Sequence, residues 1–454
     1  MWHYILVKEK SEFFHLNWLY TKVQLLYIIV VAFGLLITSY LGLSYSESIS
    51  AAADDDWCSS KIEGVGIHCF SDFYQISQFS KLEIPWLNGT PYTPVSIFIM
   101  KIISNDFFIS ISMKLPLLIN QSLLIICFLF PFVHHWKSLN IRERYSNKFL
   151  LIILGFSTPV LMTFDRGNSV YLLFPFLYFI FKGFLLENYM QVAILIGLAG
   201  IIRPQIMVLL LIFLPMINWK AIIMSFGTFT VGLLTSFFLF PGNIFTNAAR
   251  WLQNISSYQT YTDIPSLRNY SFANFIGLLK GFFEIVLQNK PLTEAFRPPI
   301  SSNYVSIISV IFLSISVIWL LILRNNLTRF EILFICSLVT ILTPGTSFGY
   351  YLILLIIPMM FLTIDYSDKS SKIDFTIINN VVFRAHFCLL YLVLVPLWPF
   401  QWGMFDLQVK DVWSNYGVSG TVVSVVLALL PLNFFLTKQY THSREKKKMY
   451  RETL

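Results

Sequence analysis

Apolar runs of up to roughly twenty residues recur along the whole chain, and a run of that length crosses the roughly 30 Å hydrocarbon core of a bilayer as an α-helix. Such a run is buried only by lipid or by another run like it, so the chain reads as all-α, a polytopic transmembrane helix bundle. Charged residues make up 12% of the 454 positions. A soluble domain carries about 25%, which excludes a soluble globular or disordered chain and leaves no room for a sizeable soluble domain. The runs fall at residues 23–43, 113–133, 149–164, 169–186, 190–202, 205–217, 220–240, 304–323, 330–343, 350–364, 381–399 and 418–437. They predict about twelve helices in a single membrane domain over residues 1–454.

The net charge of +8 does not point to nucleic acid, because the Lys and Arg residues sit between the apolar runs. With the N-terminus inside, nineteen of the 32 basic residues fall on cytoplasmic stretches, among them Lys137, Lys182, Lys220, Arg329 and the tail 438–454, as the positive-inside rule requires. Both termini are then cytoplasmic in an integral protein of the cell membrane. The first 22 residues read as a cytoplasmic stub, not a cleaved signal. The apolar stretch 95–103 does not fit this count as a crossing. It reads as a re-entrant or interfacial helix, since Pro91, Pro94, Asn105 and Asp106 flank it. Two large loops, 44–94 and 241–303, lie on the outer face and carry Trp57, Tyr74, Trp86, Trp251, Tyr258, Tyr261 and Tyr270, the mix expected of segments that sit on the interface or line a groove.

Cys127, Cys336 and Cys388 lie within apolar runs and read as small core residues. Cys58 and Cys69 share the first outer loop, where a local disulfide and two free thiols are both open. In the same loop Asp72 stands beside Phe73 and Tyr74. A carboxylate there can act as general base toward a hydroxyl or can cap a helix. The triplet Asp54, Asp55 and Asp56 reads as solvated loop carboxylates. Between the third and fourth helices lies Asp165-Arg166-Gly167-Asn168, and the next outer turn is Arg203-Pro204-Gln205. Either Arg offers a forked donor to a phosphate; alternatively Arg166 pairs with Asp165 or snorkels to lipid headgroups. Further outer-face groups are Arg250, Arg268-Asn269-Tyr270-Ser271, and the stretch from Thr343 to Tyr351 with its Gly and Pro turn residues. A chain of buried Asp, Glu or His at mid-membrane, the mark of a proton-coupled carrier, is missing from the apolar runs. No Walker loop, dinucleotide-binding glycine pattern or His-Glu-x-x-His pattern appears in the required context. An activated substrate must therefore arrive by another route, such as a lipid-borne donor entering sideways from the bilayer.

These residues together resemble the GT-C glycosyltransferases, specifically polyprenol-phosphate-mannose-dependent mannosyltransferases of the family 87 type. The likeness rests on Asp72-Phe73-Tyr74, Gly89-Thr90-Pro91-Tyr92-Thr93-Pro94, Asp165-Arg166-Gly167-Asn168, Arg203-Pro204-Gln205, Asn269-Tyr270-Ser271-Phe272, and Thr343-Pro344 running into Tyr350-Tyr351. The resemblance implies inverting transfer of mannose or another hexose from a polyprenyl-phosphate-linked sugar to a glycolipid or glycan acceptor among membrane lipids. Asp72 would be the general base. Arg166, Asn168, Arg203, Gln205 and Arg268 would bind the donor and its phosphate, while Tyr74, Tyr92, Asn269 and Tyr350 would bind sugar or acceptor. It implies no cofactor and needs no metal if an Arg stabilises the phosphate charge. The sequence departs from the family pattern in the long cysteine-bearing loop before Asp72, which keeps Asp54, Asp55 and Asp56 open as the base, and in Arg203 where Lys is common. Two other readings remain: a carrier or flippase for lipid-linked glycans, and a polymerase using lipid-diphosphate-linked oligosaccharides. A carrier needs its polar residues at the bilayer midplane, whereas here they gather in the outer loops.

Overall fold

A computed structural model describes residues 71–112, 115–139, 160, 163, 167–261, 271–288, 302–327, 329–344 and 349–361. The expected helices at 23–43, 381–399 and 418–437, nearly all of 149–164, the cysteines Cys58, Cys69 and Cys388, the triplet Asp54 to Asp56 and the basic tail lie outside the described residues. Every regular element among the described residues is helical. By length and composition four segments can cross a membrane, 94–111, 115–138, 219–239 and 304–322, with shorter apolar helices at 169–185, 189–202 and 204–213.

The bundle is built on helix α5 (Leu173–Leu185). Its neighbours are α4 (Leu115–Ser138), α6 (Tyr189–Ile202), α11 (Arg329–Leu342) and α12 (Ile353–Phe361), and α7 (Trp219–Ser236) packs on α6. Phe174, Leu177 and Phe181 of α5 are buried, as is all of α11 from Phe330 to Leu342. A helix apolar all round belongs in the centre of such a bundle. Helices α6 and α7 approach closely because Gly197 has no side chain: a Cβ there would stand 2.6 Å from the Cβ of Thr228, the small-residue contact that lets membrane helices interlock. The Ser225 hydroxyl donates to the Ala193 carbonyl across the same seam at 2.8 Å.

The path between α6 and α7 differs from the expected α-helix over 205–217. It is a 3₁₀ helix, Pro204–Phe213, and at about 2.0 Å per residue it covers more depth than ten α-helical residues would. Pro204 is the reason for the break. A residue before proline is driven out of the α region, and Arg203 is extended at φ −141° and ψ 104°, so α6 stops at Ile202. The run expected over 169–186 likewise opens with a 3₁₀ turn, Ser169–Leu172, before α5.

The described parts of the two regions read as loops contain helices, and those of 71–93 and 244–261 gather at one end of the bundle. The first holds α1 (Ser71–Ser80) and the short Pro85–Asn88 turn, the second α8 (Ile244–Tyr261) and α9 (Phe272–Gln288). Helix α10 (Ser302–Ile322) packs on α9, with Phe272 and Phe312 stacked at 4.4 Å. The stretch expected at 95–103 is α2 (Pro94–Ile103), followed after a break at Ser104 and Asn105 by α3 (Asp106–Ile111). Reckoned end to end the pair is long and apolar enough to cross a membrane, yet both ends of α2 meet the same end of the bundle. At its start, the hydroxyls of Thr93 and Ser96 each donate to the Ile202 carbonyl at 3.1 Å. Toward its finish, Lys101 lies over the Phe240 ring just past α7, and Ser104 accepts from Ser77 of α1 at 2.8 Å. Both ends of α2 are thus tied to that end of the bundle.

Candidate active site

The polar residues of that end converge where α5 begins and α6 stops. Gly167 makes the turn into α5 with φ +60°, and a Cβ on it would come within 2.9 Å of the Phe73 Cβ. This close approach seats α1 against the turn, while Phe73 and Ile76 bury with Met100 and Ile103 of α2 on the other side. Asp72, one residue before Phe73, is thereby brought to Asn168, one residue after Gly167: the Asn168 Nδ2 donates to Asp72 Oδ2 at 2.5 Å.

Asn168 also caps the helix. Its Oδ1 accepts from the Val170 backbone N–H at 2.9 Å, the arrangement for which Asn is favoured at helix starts. The same Oδ1 accepts from Arg203 Nη2 at 2.8 Å, and Arg203 Nη2 reaches the Ser169 hydroxyl at 3.1 Å. The guanidinium carbon of Arg203 lies over the Tyr92 ring, 5.4 Å from its centroid, within range of a cation–π contact. Tyr92 in turn donates from its hydroxyl to Gln75 of α1 at 3.4 Å. A carboxylate, an amide, a guanidinium and a phenol thus form one connected set drawn from four separate stretches of chain.

The strut under it comes from loop 85–93 and α8. Asn247, Trp251 and Asn254 recur at helical spacing on one face of α8. Trp251 Nε1 donates to the Pro91 carbonyl at 3.1 Å, and Asn254 Nδ2 to the carbonyls of Trp86 and Thr90 at 2.8 and 3.2 Å. Trp86 Nε1 closes the loop onto the Tyr92 carbonyl at 3.2 Å. Such bonds contribute about 1 kcal/mol each, and leaving a buried carbonyl unpaired costs about 1–3 kcal/mol, so they fix the path that presents Tyr92.

Of the residues singled out by sequence, the structure brings together Asp72, Asn168, Arg203 and Tyr92. Tyr74 is on the outer side of α1 and 50% exposed, and Gln205 is half-buried two residues beyond Arg203. Arg166, Arg268 and Asn269 lie outside the described residues, as does the side chain of Tyr350, whose backbone forms the Gly349–Leu352 turn between α11 and α12. Sequence reasoning missed Asn120, a fully buried polar residue in the α4 run. It donates to the Gly167 carbonyl at 3.4 Å and accepts from the Tyr171 hydroxyl at 2.9 Å, clamping the turn from behind. A lone amide inside an apolar run was the available signal. It also missed Gln75 and Ser169, which carry no signal beyond proximity in three dimensions.

Gly167→Ala should cost roughly 1–2 kcal/mol in backbone conformation alone and push α1 off the turn. We expect a lowered thermal midpoint, and a loss of activity with it, in the detergent-solubilised protein. Gly227→Ala, where a Cβ meets nothing within 4 Å, should match wild type. A wild-type midpoint and activity for Gly167→Ala would contradict this seating of α1.

No curated protein matches the chain. A family model does, glycosyltransferase family 87, over residues 92–344. The match takes in Tyr92, Asn168 and Arg203 and begins after Asp72, so the place of the carboxylate rests on the geometry above. As the match covers more than half of the sequence, this membrane chain belongs to glycosyltransferase family 87.

Proposed function

We propose that the protein transfers a hexose, mannose being the first candidate, from a polyprenyl-phosphate-linked sugar to a glycolipid or glycan acceptor at the outer face of the cell membrane, with inversion. The observation that carries this reading is the Asp72–Asn168–Arg203 connection at one end of an apolar bundle. A carboxylate and a guanidinium held on either side of one amide suit a reaction that takes up a proton at one place and releases a phosphate at another.

In this mechanism Asp72 accepts the proton of the acceptor hydroxyl as its oxygen attacks C1 of the donor sugar. The bond from C1 to the phosphate oxygen breaks, and polyprenyl phosphate leaves with the bonding pair. Arg203 faces the charge that develops on the departing phosphate, and Arg166 and Arg268 are proposed to join it. Tyr92 steadies the guanidinium through its ring, while Tyr74, Asn269 and Tyr350 are proposed for sugar and acceptor. The Asp72 proton then passes to solvent.

Charge supports one sidedness. Lys137 and Lys182 stand in the last turns of α4 and α5, remote from Asp72, and Arg329 pairs there with Glu187. Basic residues favour the cytoplasmic side, which supports an outer location for the site. A cysteine at exposed Gln253 of α8 should label from outside intact cells; labelling only after the membrane is opened would reverse the orientation.

The decisive assay follows polyprenyl phosphate released from labelled polyprenyl-phosphate-mannose and polyprenyl-phosphate-glucose by protein in nanodiscs with host lipid extract. Asp72→Asn should lower release by about 10³-fold or more with helix content unchanged. Arg203→Ala should weaken use of the donor. Equal release by wild type and folded Asp72→Asn would remove Asp72 as the base, and release only from a diphosphate-linked oligosaccharide would make the protein a polymerase.

A further inference from the structure

Taken by residue type, Asn168 belongs with the donor-binding groups. Its surroundings argue otherwise. It is 2% exposed, and both ends of its amide are in use. Two N–H donors, from Val170 and Arg203, converge on Oδ1, which spends both acceptor sites of the oxygen, and one of the two N–H bonds of the amide is given to Asp72 Oδ2. The orientation of the amide is fixed by chemistry, since two donors require the oxygen and a carboxylate requires the nitrogen. The peptide unit carrying it is held separately, through the left-handed Gly167 and the Asn120 bond to the Gly167 carbonyl.

From this geometry we infer that Asn168 is a positioning residue, which aims the Asp72 carboxylate at the acceptor hydroxyl and does not bind the donor. Arg203 takes on a further task in consequence: besides the charge it brings to phosphate chemistry, its Nη2 braces the amide that holds the base. A helix cap alone would need only the oxygen of Asn168. The nitrogen arm is the part that a purely structural role leaves unexplained.

The inference rests on the reading of Asp72 as base, and the experiment separates the two. Asn168→Ser keeps a capping oxygen but loses the arm that reaches Asp72. Asn168→Asp keeps the cap and the acceptor for Arg203 and sets a carboxylate oxygen where the amide donates. With full-length protein in nanodiscs and the labelled polyprenyl-phosphate sugar that wild type uses, Asn168→Ser should keep the wild-type thermal midpoint, whereas Asn168→Asp, which sets two carboxylates against each other, should fold with a lowered one. Both should show kcat lowered about tenfold or more, the scale of a misdirected catalytic group, with donor KM within about twofold of wild type. Wild-type kcat in either folded variant would overturn the inference, and so would a loss confined to donor KM, which would return Asn168 to the donor site. Activity retained in Asp72→Asn would instead defeat the base assignment itself, whatever the Asn168 variants do.

Discussion

The site depends on the inability of Arg203 to stay helical in front of Pro204. That one restriction stops α6 at Ile202 and turns the Arg203 side chain toward the start of α5. It also frees a carbonyl, because a helix end leaves its last C=O groups without partners. The Ile202 carbonyl is taken by Thr93 and Ser96 at the head of α2. The same break therefore supplies the cation of the site and the anchor for the segment that brings Tyr92 to it. A continuous helix through 203 would carry Arg203 around the bundle and leave α2 nothing polar to dock on.

The remaining parts are held by contacts that reach far along the chain. Phe73 fits against Gly167 only because the glycine has no side chain, and Trp251 and Asn254 of α8 close over loop 85–93 by bonding its carbonyls. Polar groups at the end of an apolar bundle are expensive to leave unpaired, and here they are spent on one another: Asn120 on the turn, Asn168 on Asp72, Ser169 and Asn168 on Arg203. The outcome is a connected polar cluster at one end of an apolar scaffold.

Much of the scaffold was legible in the sequence because length and hydropathy decide which segments can enter a membrane. The runs at 113–133, 190–202, 220–240, 304–323 and 330–343 correspond to α4, α6, α7, α10 and α11 with ends shifted by a few residues. Hydropathy did not tell 3₁₀ from α at 204–213, since both bury an apolar run equally well. It also passed over α9, which lay inside a segment read as loop because Pro, Asn and Arg surround it. Asp72, Asn168, Arg203 and Tyr92 were recognisable as chemistry-bearing residues at turns. Their mutual arrangement was not, because it depends on contacts between residues 35 and 96 positions apart in sequence. The division of labour between Asn168 and Arg203 could only be read once both ends of the amide had partners.

The most direct test of the account is to locate the phosphate of a bound polyprenyl phosphate by cryo-electron microscopy of the protein in nanodiscs. The account predicts the phosphate at the α5–α6 end, within about 3 Å of Arg203, with the Asp72 carboxylate facing the space that a sugar on that phosphate would fill. Phosphate bound instead at the opposite end, beside Lys182 and His134, would contradict it.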